Sequence, residues 1–509
     1  MRFNYIFSLA FVLFYSILQS QTPNIEWQKT FGGTGSEEAF EVKKTNDNGF
    51  VAVGTTTSNN GNVTGNHGLT DAWIIKFDTS GNLQWQKTLG GSNIDGIRCV
   101  QQTADGGYIT TGYTNSVDGD VTSNHGLNDL WVVKLDNSGN IQWQKTFGGT
   151  NDDSGNSIQQ TNDGGYIVTG HAQSTDGDIT ENQGQSDLWL IKLDATGNMQ
   201  WQKTYGTIYF DYGFKVKQTA DGNFIILGSY GISLAENTDY WIIKTDASGN
   251  IIWQNTFGGT NRESPYDLQI TTDGGYIVTG FTLSNDGDVS GNHGQGDLWL
   301  IKLNSSGALV WQKTFGGTLN EYAESIQQTS DGGYIMAGMA ASANGDLTGN
   351  NGSNDFWIIK TDASGNIEWQ KNLGGSSLDN GRGILQLSNN EYLVIGGTYS
   401  TNGDVMGNHG AYDIWAVKLN RETLNTVEND IKNSITFYPN PAKDHINFKN
   451  LPTESVVYIT DMSGRKLFSQ QYSEKNITIN ISQLINGVYI IQVENKGKTI
   501  LSEKLIVKK

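Results

Sequence analysis

Residues 129–146 read Asp129-Leu130-Trp131-Val132-Val133-Lys134-Leu135-Asp136-Asn137-Ser138-Gly139-Asn140-Ile141-Gln142-Trp143-Gln144-Lys145-Thr146. Two short runs of aromatic and aliphatic residues flank a Ser-Gly-Asn turn, whose glycine supplies the positive φ that a tight hairpin needs. The stretch recurs along the chain. Trp-Gln-Lys-Thr, or a near copy, starts at Trp27, Trp85, Trp143, Trp201, Trp253, Trp311 and Trp369, in steps of 58, 58, 58, 52, 58 and 58 residues. A companion string, Asp-x-Trp-x-x-Lys, places Trp at 73, 131, 189, 241, 299, 357 and 415, and the two sets use all 14 tryptophans. An internal repeat of this kind decides the architecture.

Each unit holds four strand-like runs. In the second unit they are residues 99–103, 108–113, 130–135 and 141–146, with Asp105-Gly106-Gly107 turning between the first two. Four antiparallel strands per copy predict an all-β fold, a seven-bladed β-propeller over residues 21–420 built from seven repeats of about 58 residues. The array opens with a lone Trp-Gln-Lys-Thr strand and closes on residues 413–419, which lack that partner. The first strand is therefore expected to complete the last blade and close the ring. In this phasing the Cys99-type strand is innermost, and the Trp ladder is read as packing between blades.

Composition narrows the function. The formal net charge is −19, which leaves no basic surface for nucleic acid. Residues 425–509 carry 11 Lys+Arg against 8 Asp+Glu, while the rest carries 22 against 44, an asymmetry that marks separate modules. A lone cysteine, Cys99, excludes an internal disulfide and is read as a buried small hydrophobe. Residues 1–20 read as a signal peptide, with Arg2 before an apolar stretch and Ser20 before a cut at Gln21.

Asp163-Gly164-Gly165-Tyr166-Ile167-Val168-Thr169-Gly170 and Asp187-Leu188-Trp189-Leu190-Ile191-Lys192-Leu193-Asp194 carry a family likeness. The array resembles the bacterial seven-bladed β-propeller (SBBP-type) repeat, which implies a fold but no particular activity. After a polar linker at 421–433, residues 434–509 show short alternating runs that predict a small Ig-like β-sandwich. Their motifs are Tyr438-Pro439-Asn440-Pro441-Ala442, Asp461-Met462-Ser463-Gly464-Arg465, Asn486-Gly487-Val488-Tyr489 and Lys504-Leu505-Ile506-Val507-Lys508. Together they resemble the type A C-terminal sorting domain of the type IX secretion system of Bacteroidota. The resemblance implies passage across the outer membrane by that machinery, and an extracellular or outer-surface location.

Two sets of acids are candidate sites. Glu37, Asp95, Asp153, Asp211, Glu263, Glu321 and Asp379 stand four residues after the second position of each Gly-Gly pair, with Thr207 at that position in unit four. Near the channel they would form a carboxylate ring able to hold a cation or a basic partner; the competing role is capping of the loop's own N–H groups. The long loops carry Asp118 and Asp120, Asp176 and Asp178, and Asp286 and Asp288, whose oxygens suit Ca²⁺ in type but lack EF-hand spacing. Calcium is the one cofactor they suggest, against an Asx-rich turn. Four histidines, His67, His125, His293 and His409, occupy these loops, too far apart in the fold to share a metal. Unit four departs most through its short loop, Tyr209-Phe210-Asp211-Tyr212 and Glu236.

No nucleophile elbow, metalloprotease helix or P-loop is present in the sequence. The expectation is a monomeric, non-enzymatic binding or adhesion module for an extracellular glycan or protein. The alternatives are a polysaccharide-active enzyme and a purely structural surface spacer. An enzyme should show one or two blades with unusual polar groups near the axis.

Overall fold

A computed structural model describes residues 22–233, 237–388, 390–420, 435–462, 464–495 and 498–509. The expected signal peptide, the linker and Glu236 lie outside the described residues. The chain divides into a unit spanning 22–422 and a C-terminal unit.

The first unit contains seven four-stranded antiparallel sheets, and no helix occurs among the described residues. The second sheet is Asp95–Gln102, Tyr108–Thr114, Asp129–Leu135 and Ile141–Phe147 in that order. The expected runs are all present, and the first starts four residues earlier than its apolar pattern announces. One sheet is assembled from both ends of the array. Ile25–Phe31 pairs antiparallel with Asp413–Leu419, which continues through Tyr392–Thr398 to Asp379–Gln386. First strands of successive sheets touch one another, and Glu37–Lys44 touches Asp379–Gln386, so the series returns on itself. This is a propeller-like arrangement with the Cys99-type strands innermost.

The repeated strings are explained by one network. Trp131 is fully buried, and its indole N–H donates to Gln144 Oε1 at 2.9 Å. The same bond joins Trp73 to Gln86 and, across the closing sheet, Trp415 to Gln28. Each Trp of the second string therefore fixes the Gln of Trp-Gln-Lys-Thr. Lys134 Nζ lies 2.9 Å from Asp105 of the Asp-Gly-Gly turn, and Lys76, Lys192 and Lys302 pair alike with Asp47, Asp163 and Asp273. Their side chains are buried, and the ammonium groups end on turn aspartates rather than in water. Between sheets, Trp85 meets Tyr108 edge-on at 5.8 Å, and Trp143 meets Tyr166 likewise. Gly139 (φ 78°) turns so close to Trp85 that a Cβ would come within 2.9 Å of the ring. Burying indoles of ~150–250 Å² each is a large stabilising term for a disulfide-free array.

The C-terminal unit is a two-sheet sandwich. Thr436–Tyr438, His445–Lys449 and Ile477–Asn480 form one sheet; Lys466–Tyr472, Ser455–Thr460, Gly487–Asn495 and Lys498–Val507 form the other. Alternating residues such as Ile446, Phe448, Val457, Ile459, Ile491 and Leu505 fill its core.

Candidate functional site

The seven repeated acids are fully buried, each at or just before the start of an inner strand. Asp95 Oδ2 accepts the Gly91 N–H at 2.8 Å and the Ser116 hydroxyl at 2.7 Å, and its other oxygen takes the Thr114 hydroxyl. Glu37, Asp153, Asp211, Glu263, Glu321 and Asp379 accept the equivalent N–H from Gly33, Gly149, Thr207, Gly259, Gly317 and Gly375. The geometry gives all seven the capping role. Burial raises the acids of Asp153, Asp211, Glu263 and Asp379 against these hydrogen bonds.

Beside each cap stands the Asp of Asp-x-Trp-x-x-Lys. Asp71, Asp129, Asp187, Asp297, Asp355 and Asp413 are buried and Asp239 is half-buried, and Oδ1 of each lacks a hydrogen-bond partner. Burial raises them all. Four have an imidazole over Oδ2: Nδ1 of His67, His125, His293 and His409 lies 2.7, 2.6, 2.6 and 2.8 Å away. The loop histidines are thus partners of individual aspartates at i, i+4. The three units without histidine carry Asp187 at about 6, Asp239 at about 7 and Asp355 at about 6. In each, burial acts first, and a neighbouring carboxylate adds to it.

The Asp-Gly-Asp loops turn inward upon their own sheets. Asp118 accepts the Ser92 N–H at 2.8 Å, and Asp120 accepts the Gly90 N–H at 3.2 Å. Asp176 and Asp178 bond Thr150 and Gly148; Asp286 and Asp288 bond Thr260 and Gly258. Calcium takes six to eight oxygens around one point. Here the paired carboxylates serve N–H groups two residues apart, and among the described residues no three His, Cys, Asp or Glu side chains gather as a metal centre. This donor set does not fit Ca²⁺.

A site that the repeats conceal lies on the axis. Every inner strand carries a β-bulge at the same place, such as that between Ile97 and Cys99 opposite Gly112 and Thr111. A Cβ on Gly112 would fall 1.9 Å from the Gly96 carbonyl oxygen, so glycine is required where the bulge presses on the second strand. Bulges re-aim side chains at rims. The bulged residues are Phe40, Arg98, Asn156, Phe214, Tyr266, Glu324 and Arg382, chemically varied where the rest of the repeat is uniform. All seven line one open cavity of about 300 Å³. The residues that follow them are Glu41, Cys99, Ser157, Lys215, Asp267, Ser325 and Gly383.

These groups answer one another across units. Lys215 Nζ lies 2.9 Å from Glu41 and 4.0 Å from Asp267, and Lys43 lies 2.8 Å from Glu41. Burial disfavours both charges, yet Lys215 and Lys43 hold the Glu41 carboxyl far below its ordinary range, and Glu41 holds Lys215 well above. Arg382 grips Glu38 and Glu324 together. Glu41 also accepts the Val100 N–H of the next inner strand at 2.8 Å. Cys99, at the equivalent place, accepts the Ile158 N–H, and burial with Glu41 nearby pushes its thiol up to about 12. Asymmetry is therefore spread around the axis rather than confined to unit four. There, Phe210 stacks on Tyr212 at 6.4 Å while Asp211 is an ordinary cap.

In the C-terminal unit the motifs interlock. Asn440 Nδ2 donates to the Lys504 carbonyl at 2.7 Å, and Asn440 Oδ1 accepts the Ile506 N–H at 2.9 Å, seating Pro439 and Pro441 against the last strand. Gly464 (φ 86°) makes the turn in which Asp461 receives the backbone N–H and Nε of Arg465. Gly487 opens a central strand, and the Tyr489 hydroxyl bonds the Ile485 carbonyl at 2.9 Å. Residues 436–508 match the family described as the secretion system C-terminal sorting domain. The chain carries a sorting domain. It indicates interaction with the type IX secretion system and export to the surface or exterior, and no helix among the described residues is long and apolar enough to cross a membrane.

Curated relatives of the repeat region are distant. A WD repeat-containing protein of Acanthamoeba polyphaga mimivirus is 23% identical over 394 residues, 65% of this chain and 26% of that protein. The regulatory protein FlaEY of Caulobacter vibrioides is 26% identical over 162 residues, 30% of this chain and 17% of its own length. The chain thus spans about a quarter or less of either. Among solved structures, PorZ, a surface component of the type IX secretion system of Porphyromonas gingivalis, is 10% identical over 91% of this chain and 69% of PorZ, at a TM-score of 0.35. The extracellular domain of a one-component system from B. thetaiotaomicron is 12% identical over 94% of this chain and 57% of that chain, at 0.38.

Proposed function

We propose that this chain is a closed seven-bladed β-propeller of the SBBP type, carried out of the cell by its sorting domain. Outside, it binds an extracellular glycan or protein through the mouth of its axial channel, without catalysing a reaction. One observation carries the reading: the bulged inner-strand positions from Phe40 to Arg382 hold five residue types in seven copies, while the caps, the Trp–Gln pairs and the Lys–Asp pairs repeat. Seven equal shell positions support a scaffold, and unequal residues meeting at one cavity support a single site. The test is a screen of the purified chain against glycan and surface-protein arrays, with and without calcium. Calcium-independent binding that is lost in Tyr266→Ala and kept in Lys145→Ala is the expected result. Binding indifferent to Tyr266 would defeat the axial reading.

Polysaccharide cleavage is a second reading, favoured by Glu38 and Glu324 sharing Arg382 at the mouth. Burial raises the Glu324 acid despite that guanidinium, as a general acid requires. Release of new reducing ends, abolished by Glu324→Gln, would establish it.

A further inference from the structure

Thirteen of the 20 lysines and arginines between residues 22 and 420 belong to the two repeated strings. The other seven, Lys43, Lys44, Arg98, Lys215, Lys217, Arg262 and Arg382, all lie on inner strands or one residue before them. Residues 22–420, with 43 Asp+Glu against 20 Lys+Arg, thus gather their remaining cations on the inner strands. Arg382 is neutralised by Glu38 and Glu324. Arg98 and Arg262 differ: neither forms an ion pair among the described residues. Arg98 donates to Asn156 Oδ1 and lies over the Tyr113 ring, 5.1 Å from its centre, while Arg262 gives its Nε to Ser264 Oγ at 3.0 Å. A guanidinium has five donors in a planar fork suited to a carboxylate. Burial disfavours the Arg98 charge, so an incoming anion would relieve it.

Each of these arginines lines its own cavity. That of Arg98 is about 300 Å³ and includes Asn156 and Phe214; that of Arg262 is about 270 Å³ and includes Asn320, Phe281 and Tyr322. Tyr266 lines both. It packs edge-on to Phe214 at 6.4 Å and lies 5.6 Å from Tyr322, so aromatic surface runs from one cavity to the other. Aromatic rings offer apolar area to the C–H faces of a sugar, with a hydroxyl handle on tyrosine. We propose that the two cavities are adjacent subsites for an acidic oligosaccharide, a chain of uronic acids. One carboxylate is taken by Arg98, another by Arg262, and the sugar rings rest on Tyr266. This rests on the axial mouth being the ligand site.

Titration calorimetry on the full chain tests it with oligosaccharides of two to six galacturonate, glucuronate or mannuronate units. The same oligosaccharides reduced at the carboxyl, sulfated counterparts and poly-glutamate complete the panel. At least one uronide should bind, its carboxyl-reduced form about tenfold more weakly or worse, and added salt should weaken binding. Arg98→Gln and Arg262→Gln should each weaken it about tenfold, and Tyr266→Ala should remove it. Thermal melts check that the variants fold, and Arg98→Lys, which keeps the charge, replaces Arg98→Gln if that variant does not. No uronide binding, equal binding of the reduced forms, or a preference for sulfated sugars or poly-glutamate overturns the proposal. If the array screen then yields a Tyr266-dependent neutral glycan or protein ligand, the axial function stands and only the acidic-sugar assignment falls. A uronide bound independently of all three residues removes both.

Discussion

Trp131 has an identical counterpart in all six other repeats; Arg98, on the inner strand of the same sheet, corresponds to Phe40, Asn156, Phe214, Tyr266, Glu324 and Arg382. Trp131 sees the same surroundings seven times, a Gln on the next strand and the adjoining sheet's core. Repetition at such a position is a packing solution copied. Arg98 stands where all seven copies converge, so its partners belong to other repeats, and difference there can be complementary. Lys215 answering Glu41, and Arg382 answering Glu38, show complementarity between non-identical copies. Identity marks the scaffold, and variety marks the place where the scaffold can choose a ligand.

Substitutions at the repeated and at the varied positions should differ in what they cost the fold. Trp131→Ala should cost about 3–5 kcal/mol by emptying the core and stranding Gln144, read as a large fall in denaturant midpoint. Exposed Arg262→Gln should stay within about 0.5 kcal/mol. Lys215→Met tests whether every axial residue is free of structural duty. It leaves Asp267 without a cation and Glu41 with Lys43 alone, and should cost about 3 kcal/mol, part of it recovered by adding Glu41→Gln. If Lys215→Met is neutral, the axis carries no structural load.

A smaller effect separates the repeats by pH. Asp187, Asp239 and Asp355 are raised from 3.8 to about 6, 7 and 6, so the folded chain keeps protons that the unfolded chain has released. Their contribution is full below pH 3.8 and is lost as pH rises through 6 to 7. Asp47, Asp105, Asp163, Asp221 and Asp273, held at about 2 by hydrogen bonds and lysines against burial, act oppositely and lose their contribution as pH falls below 3.8. Melting temperature should therefore peak near pH 4–5 and drop by a few degrees by pH 8. Asp239→Asn should flatten the alkaline limb; an unchanged limb would place the protons elsewhere. The smallest effect concerns Cys99, whose thiol at about 12 should resist iodoacetamide at pH 8 until the chain is unfolded.

The fold was legible because the hairpin signals recur with every copy, and even the sharing of one sheet between both ends followed from the unmatched strands. The seven caps were visible as acids, but sequence could not say whether they were open to a ligand; burial and the Gly-Gly N–H groups decide that. His67 and Asp71 stood at i, i+4 in plain sight, yet histidine among aspartates reads first as a metal question. The axial set was missed for a simpler reason. The repeat is defined by positions that agree, and Phe40, Arg98 and Glu324 disagree; their signal in the sequence is that disagreement itself.

Pairing of Ile25–Phe31 with Asp413–Leu419 has a consequence for the order of assembly. Six sheets can form from contiguous chain as it emerges, each from contacts within its own repeat. The seventh joins segments almost 400 residues apart, the costliest loop in the molecule to close. This strand exchange acts as a clasp that fastens only after the last repeat exists, immediately before the sorting signal in the chain. Severing the linkage elsewhere, by circular permutation between two repeats, would turn the clasp into an ordinary hairpin and should speed refolding while leaving the finished ring unchanged.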